Sequence, residues 1–202
     1  MPTCYIVAGP PRSGTSLTAG ILHRLSISMG TRLMPAAPMN PKGFFVDMDF
    51  EELVGPLYDA NNMPAPGSKL PADVEAQVRA LIQTREKAGA DWGLKTMWIG
   101  VIAPLLVEEC GAVKLVRVAR PALASRASLA AHTAHSPEKI AEIITWGKAT
   151  ADYVAGIAPV VDVTFANLLD ATVSEVGKLT TFTGKQLRQE AIDFVDVSLR
   201  SF

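Results

Sequence analysis

The sequence is poor in cysteine, in charge and in long hydrophobic runs. Only two of its 202 residues are cysteines, Cys4 and Cys110, which is too few for a disulfide framework and gives no metal-ligand spacing. Charged residues make up 19% of the chain and the net charge is −1, so there is no basic field that would attract nucleic acid. The longest nearly apolar stretch, residues 98–107, contains a proline and covers about half of a membrane span.

Apolar residues make up 49% of the chain, which excludes a disordered polypeptide and predicts a well-formed core. The length fits one domain that spans residues 1–202. Residues 1–4 have no basic region, so we expect no signal peptide, and Pro2 excludes N-myristoylation. We therefore expect a reduced, cytoplasmic protein without a membrane partner. The oligomeric state stays open.

Strand-like and helix-like segments alternate along the chain, which is typical of a parallel sheet with helices on both faces. This pattern predicts the α/β class, with three α/β/α layers around a mainly parallel sheet of the P-loop NTPase type. The predicted strands are 4–8, 91–95, 113–119 and 160–165, and the predicted helices are 17–25, 48–58, 73–88, 99–110, 121–132, 172–183 and one that begins at 136–139.

The first loop has the glycine spacing of a phosphate-binding loop. Gly9–Ser16 reads G-x-x-x-x-G-T-S, and it follows a predicted strand and precedes a predicted helix. Consecutive amides in such a turn converge on one point and add to the positive end of the helix. The loop is therefore predicted to hold an anion, and Ser13, Thr15 and Ser16 are candidate hydroxyl donors.

The loop departs from nucleotide-hydrolysing P-loops at one position. Thr15 stands where those loops have lysine, and the cation of the loop is Arg12 instead. Asp162, a candidate magnesium ligand, is preceded by only two clearly apolar residues. The three histidines do not form a metal-binding set. Magnesium-dependent phosphoryl transfer is thus disfavoured.

The loop also resembles a known motif. Pro11–Ser16 resembles the 5′-phosphosulfate loop of the sulfotransferases, written P-[KR]-[SA]-G-T-[ST]. Four further segments resemble the same family in the same order: Asn40–Asp47 (N-P-x-G-[YF]-F-E-[DS]), Trp92–Thr96 (W-G-x-K), Lys114–Leu129 (the 3′-phosphate element) and Phe194–Arg200 (the terminus).

This resemblance implies a transferase that uses 3′-phosphoadenosine 5′-phosphosulfate as sulfuryl donor and releases adenosine 3′,5′-bisphosphate. It implies a small-molecule or carbohydrate acceptor with a hydroxyl or amine, and no metal, because a sulfuryl group carries less charge than a phosphoryl group. Arg12 is expected at the 5′-phosphate, with Gly14, Thr15 and Ser16 as further contacts, and Lys95 at the bridging oxygen.

The residues that would bind the 3′-phosphate have two possible registers. Arg120 with Ser128 and Arg117 with Ser125 both show the eight-residue spacing of the family element. We favour Arg120 with Ser128, because Arg120 then follows the strand 113–119, and ligands of open α/β sheets bind at the carboxyl ends of strands.

The general base is harder to assign, because Met97 and Val46 stand where branches of the family have a catalytic His and Glu. Asp47 is our first candidate, followed by Glu51 or Asp49. The departure leaves open a weak or lost activity, so two alternatives are a noncatalytic nucleotide-binding module of the same fold and a P-loop kinase. The proline-rich loop 61–71 is a candidate lid or acceptor wall.

Overall fold

The computed structural model describes residues 1–199, and its centre is a sheet of four parallel strands. Its order, β2-β1-β3-β4, places the first strand between the second and the third. The α/β class and the parallel sheet predicted from the sequence are confirmed. The described strands are β1 (Cys4–Ala8), β2 (Trp92–Leu94), β3 (Val113–Ala119) and β4 (Val160–Thr164).

Helices cover both faces of this sheet. The predicted segments 113–119 and 172–183 have the same bounds in the structure, whereas the predicted helix 48–58 ends at Val54 and continues as a 3₁₀ turn, Gly55–Leu57. Two short helices, α7 and α9, were not predicted. The described α-helices are α1 (Thr15–Arg24), α2 (Met48–Val54), α3 (Ala72–Lys87), α4 (Ile99–Glu109), α5 (Ala122–Ala130), α6 (Pro137–Ala155), α7 (Phe165–Asp170), α8 (Thr172–Thr183) and α9 (Gln189–Asp193).

The first strand is buried on both faces, as a central parallel strand must be. Cys4, Ile6 and Ala8 pack into a core formed with α2, α3, α4 and α6. Tyr5 and Val7 point to the opposite face and pack against α1, α7, α8 and α9. This alternation makes the domain a three-layer α/β/α structure. None of the described helices is long and apolar enough to cross a membrane.

The sheet topology brings four residues that are distant in sequence to one edge. The strands are parallel, so their carboxyl ends lie at the same edge, where Gly9, Lys95, Arg120 and Phe165 each directly follow one strand. The chain leaves β1 towards β2 on one side and later returns to β3 on the other side. Ligands of open α/β sheets bind at such a switch point.

Candidate functional site

A cavity of about 460 Å³ opens at this edge. All four residues that follow the strands, Gly9, Lys95, Arg120 and Phe165, line it. Its volume lies in the range of about 300–1,000 Å³ that is usual for small-molecule sites. The segments that the sequence singled out are therefore brought together in one place.

The loop Gly9–Ser16 requires both of its glycines. A Cβ atom on Gly9 would lie 2.3 Å from the carbonyl oxygen of Val118, a contact that no side chain tolerates. Gly14 has a φ of 101°, and a Cβ there would lie 2.6 Å from Cδ2 of Phe165. The two positions thus let the loop pass close to β3 and α7.

The loop presents backbone amides to the cavity. Within residues 1–199, the amides of Gly14, Thr15 and Ser16 have no hydrogen-bond partner, and no side chain caps α1. The helix has no acidic residue in its first turn. Unpaired amides at the positive end of a helix attract anions.

The structure gives Ser13 a different place from the one predicted. Its side chain is fully buried and does not line the cavity, so its hydroxyl is not a cavity-facing donor. Ser13 Oγ would lie 2.8 Å from a Cβ on Gly9, and the Ser13 amide donates to the carbonyl of Pro10 at 3.1 Å. The residue therefore fills the space beneath the loop.

Arg12 is held in place by its own backbone and by a distant helix. Its φ of 65° is in the left-handed region. Its Nε donates to Ser128 Oγ at 3.0 Å, and both Nη atoms lie 3.4 Å from the carbonyl oxygen of Met39. Burial and the nearby charge of Arg120 lower the pKa of the Arg12 guanidinium. Two cations held together in this way favour a bound anion.

Arg120 and Arg117 occupy different environments. Arg120 lines the cavity, donates from Nη1 to the carbonyl of Arg12 at 3.0 Å, and lies 4.4 Å above the ring of Phe165. Arg117 does not line the cavity and forms ion pairs with Asp162 at 2.6 Å and with Asp152 at 3.0 Å.

The serines of the two registers also differ. Ser128 supports Arg12 rather than lining the cavity. Ser125 is fully buried, and its hydroxyl has no partner among the described residues. Of the two registers, the one with Arg120 and Ser128 therefore fits the site better: Arg120 lines the cavity, and Ser128 binds Arg12 of the loop Gly9–Ser16.

The first candidate for the base, Asp47, does not lie at the cavity. Its side chain is completely buried and caps α2: Oδ1 accepts from the Asp49 amide at 3.0 Å, and Oδ2 lies 3.1 Å from Nη2 of Arg85. Burial raises the pKa of Asp47, and the charge of Arg85 opposes that rise. Asp49 also pairs with Arg85, at 2.6 Å. The structure thus corrects the preference for Asp47 and gives both residues a structural role.

Glu51 is the acidic candidate that does line the cavity. Its Oε2 accepts from Thr96 Oγ1 at 2.9 Å, and its Oε1 accepts from Trp98 Nε1 at 3.0 Å. Two neutral donors fix the orientation of the carboxylate without neutralising its charge. Glu51 lies on α2, one turn after Asp47 (whose capping interaction therefore helps to position it).

Lys95 lines the same cavity as Glu51. Burial lowers the pKa of its ammonium group to about 8, and the negative charge of Glu51 partly opposes that shift. Among residues 1–199 its Nζ has neither a hydrogen bond nor an ion pair within 4.0 Å. The geometry thus provides a carboxylate and a desolvated ammonium group side by side.

The lowered pKa of Lys95 predicts a pH-dependent stability difference. The folded protein releases this proton near pH 8, and the unfolded chain near 10.5, so the unfolded state binds more protons between these values. Relative to Lys95→Met, the unmodified protein should therefore gain free energy of unfolding as the pH rises from about 8 to about 10.5. Urea unfolding at several pH values measures this difference. The exposed Lys69→Met is the control and should show no such trend; equal trends in both variants would contradict the assignment.

The segment Asn40–Asp47 and the last described residues close one side of the cavity. Lys42 donates from Nζ to the carbonyl of Phe194 at 2.6 Å and pairs with Asp196 at 3.6 Å. The rings of Phe45 and Phe194 meet edge to face, 5.8 Å apart. Two of the family-like segments are therefore in contact, although the predicted terminal element ends at residue 200, which lies outside the described residues.

Sequence reasoning missed the aromatic part of the site. Phe165, Trp98 and Trp146 line the cavity; Trp98 also belongs to the hydrophobic core, and Trp146 packs against that core. Phe165 could have been found, because it is the last residue of the predicted strand 160–165 and the carboxyl ends of parallel strands form the edge where ligands bind. No local signal marks the two tryptophans.

Comparison with known proteins adds no relative. No protein-family model matches the chain, and no curated protein matches it. Among the described residues, no three His, Cys, Asp or Glu side chains are grouped as a metal ion would require.

Proposed function

We propose that the protein transfers a sulfuryl group from 3′-phosphoadenosine 5′-phosphosulfate to the hydroxyl or amine of an acceptor. The observation that carries this proposal is the convergence of Gly9, Lys95, Arg120 and Phe165 on one cavity. Lys95 and Arg120 belong to segments that resemble the sulfotransferase motifs, and Gly9 begins the loop that contains another of these segments. The resemblance and the geometry both point to Lys95 and Arg120.

One end of the cavity suits a nucleotide with two phosphate groups. The amides of residues 14–16 and Arg12 form the first anion position. Arg120, which contacts the backbone of Arg12, provides the second. We assign the 5′-phosphosulfate to the first position and the 3′-phosphate to the second. The space that Gly9 and Gly14 leave free is what lets the backbone approach such a ligand.

The other end of the cavity suits a proton transfer. Glu51 is placed to accept the proton of the acceptor hydroxyl, whose oxygen forms the new bond to sulfur. Lys95 and Arg12 are placed to stabilise the negative charge on the oxygen that bridges sulfur and the 5′-phosphate as its bond to sulfur breaks. The products are the sulfated acceptor and adenosine 3′,5′-bisphosphate.

The proposal needs no metal, because the loop amides, Arg12 and Lys95 supply the positive charge that a metal supplies in phosphoryl transfer. It includes a cytoplasmic location, which is supported by the two free thiols, Cys4 and Cys110.

Isothermal titration calorimetry tests the proposal directly. Adenosine 3′,5′-bisphosphate should bind at least roughly tenfold more tightly than AMP or ADP, because its 3′-phosphate adds a charge-assisted contact. Added magnesium should not strengthen the binding. Tighter binding of ADP or ATP in magnesium would contradict the proposal and support a kinase instead.

A further inference from the structure

The part of the cavity that adjoins Glu51 has mainly apolar walls. Trp98 donates to Glu51, and its ring lies 5.9 Å from that of Trp146, so the wall begins directly at the carboxylate. We call this part the tryptophan chamber. Its wall consists of Ala60, Met63, Met97, Trp98, Ile143 and Trp146.

Both indole N–H groups of this wall donate to other groups of the protein. Trp98 Nε1 donates to Glu51, and Trp146 Nε1 donates to the carbonyl of Pro64 at 2.7 Å. Oδ1 of Asp59, at the edge of the chamber, accepts from the amides of residues 61 and 62 at 2.7 and 2.9 Å. The indole rings therefore offer apolar faces and edges, with no N–H left to donate to a ligand.

Besides Asp59 Oδ2 and His135, which also line the cavity, three polar groups can still serve a ligand. Glu51 and Lys95 line the same cavity, and Glu51 accepts from Trp98 of the chamber wall. Thr150 Oγ1 is buried at the cavity and has no hydrogen-bond partner among the described residues. A ligand that fits must therefore carry its polar atoms at one end and apolar surface elsewhere.

The chamber has a rigid outer wall. The loop 61–71 is fastened by the bond from Trp146 to Pro64 and by the bond from the Gly67 amide to the carbonyl of Gly100 at 2.9 Å. Gly67 packs so closely on Tyr153 that a Cβ would lie 2.8 Å from its hydroxyl oxygen. The loop is thus a fixed wall, and it limits the size of the ligand.

We propose that the acceptor is a small apolar hydroxyl compound of the phenol class, and that a carbohydrate is not accepted. This inference rests on the proposed function. A sugar carries a hydroxyl group on nearly every ring carbon, and the chamber would leave most of them buried without partners, at a large cost in free energy. A phenol places its one hydroxyl at Glu51 and its ring against tryptophan and methionine side chains, which bind aromatic rings well.

The test is calorimetry on the full chain with 4-isopropylphenol and with methyl β-glucopyranoside, which both contain one six-membered ring. Each is titrated with and without saturating adenosine 3′,5′-bisphosphate. We expect the phenol to bind at least about tenfold more tightly than the glucoside. Equal affinities, or tighter binding of the glucoside, would overturn the inference.

Two substitutions locate the binding. Met63→Asp places a charge in the wall and Ala60→Phe fills the chamber, and each should weaken binding of the phenol by about tenfold or more. Val173→Asp, at an exposed position on α8, is the matched control and should change nothing. Phenol binding that survives both wall substitutions would also overturn the inference.

The two proposals fail in different ways. If the bisphosphate binds and the phenol does not, the acceptor class is wrong and the transferase proposal stands. If the phenol binds in the chamber and the bisphosphate does not bind, the sulfuryl donor is wrong, and the acceptor assignment falls with it.

Discussion

A Glu51→Gln variant is expected to lose sulfuryl transfer by roughly 10²–10⁴-fold, which is the usual contribution of a positioned general base. Glutamine keeps the size of the side chain; its oxygen can still accept from Trp98 Nε1, and its NH2 group can donate to Thr96 Oγ1, so both local contacts can persist. It cannot take a proton from the acceptor. The loss should therefore fall on kcat, with KM for the donor nearly unchanged.

The measurement is the initial rate of sulfation of 4-isopropylphenol, followed by the appearance of adenosine 3′,5′-bisphosphate. Glu52→Gln is the matched control, because Glu52 is the next residue on α2 and pairs with Arg32 at the surface. It should retain full activity. A Glu51→Gln variant with an unchanged kcat would remove Glu51 from the mechanism.

Asp47→Asn separates the rejected candidate from the favoured one. Asp47 is buried in contact with Arg85, so its loss should reduce the free energy of unfolding rather than act on the chemical step. If Asp47→Asn unfolds at the same urea concentration as the unmodified protein but has a much lower kcat, Asp47 would be the general base after all.

Arg120→Ala is expected to weaken adenosine 3′,5′-bisphosphate binding by roughly 10- to 150-fold, the effect of losing a hydrogen bond to a charged group. Affinity for AMP, which has no 3′-phosphate, should fall much less. The preference between the two nucleotides therefore nearly disappears. Calorimetry with both ligands measures this preference directly.

Arg117→Ala is the matched control for this experiment. Arg117 lies on β3, the strand that Arg120 follows, and its side chain forms ion pairs with Asp162 and Asp152. Its removal should leave the nucleotide preference intact. If Arg117→Ala abolished the preference and Arg120→Ala did not, the other register of the 3′-phosphate element would be correct.

The sequence predicted the sheet well because its signals are local. Val113–Ala119 is rich in β-branched residues, and helix α8 ends at Gly184 in the left-handed conformation, so both have clear ends in the sequence. Helices α7 and α9 have only six and five residues, which is too short for a helical period to be recognised. Their presence is decided by packing.

The sequence predicted those site residues that lie at the ends of strands. It did not predict those whose role depends on the direction in which the side chain points. Arg12, Lys95 and Arg120 follow from motif spacing and from the rule for parallel sheets. Asp47 and Glu51 are one helical turn apart, and the sequence does not say which of them meets Arg85 on α3. That partner is distant in sequence, so only the packed helices show that Asp47 is engaged and Glu51 lines the cavity.

The hydrogen bonds that connect Arg12 with Arg120 and with the helix after it affect which ligands the protein can bind. Arg120 holds the carbonyl of Arg12, and Ser128, from the helix that follows Arg120, holds the guanidinium of Arg12. These hydrogen bonds fix the distance between the two arginines. Under the proposed function, the protein selects nucleotides by the distance between their two phosphate groups. Nucleoside bisphosphates that differ only in their base should therefore compete for the same binding site.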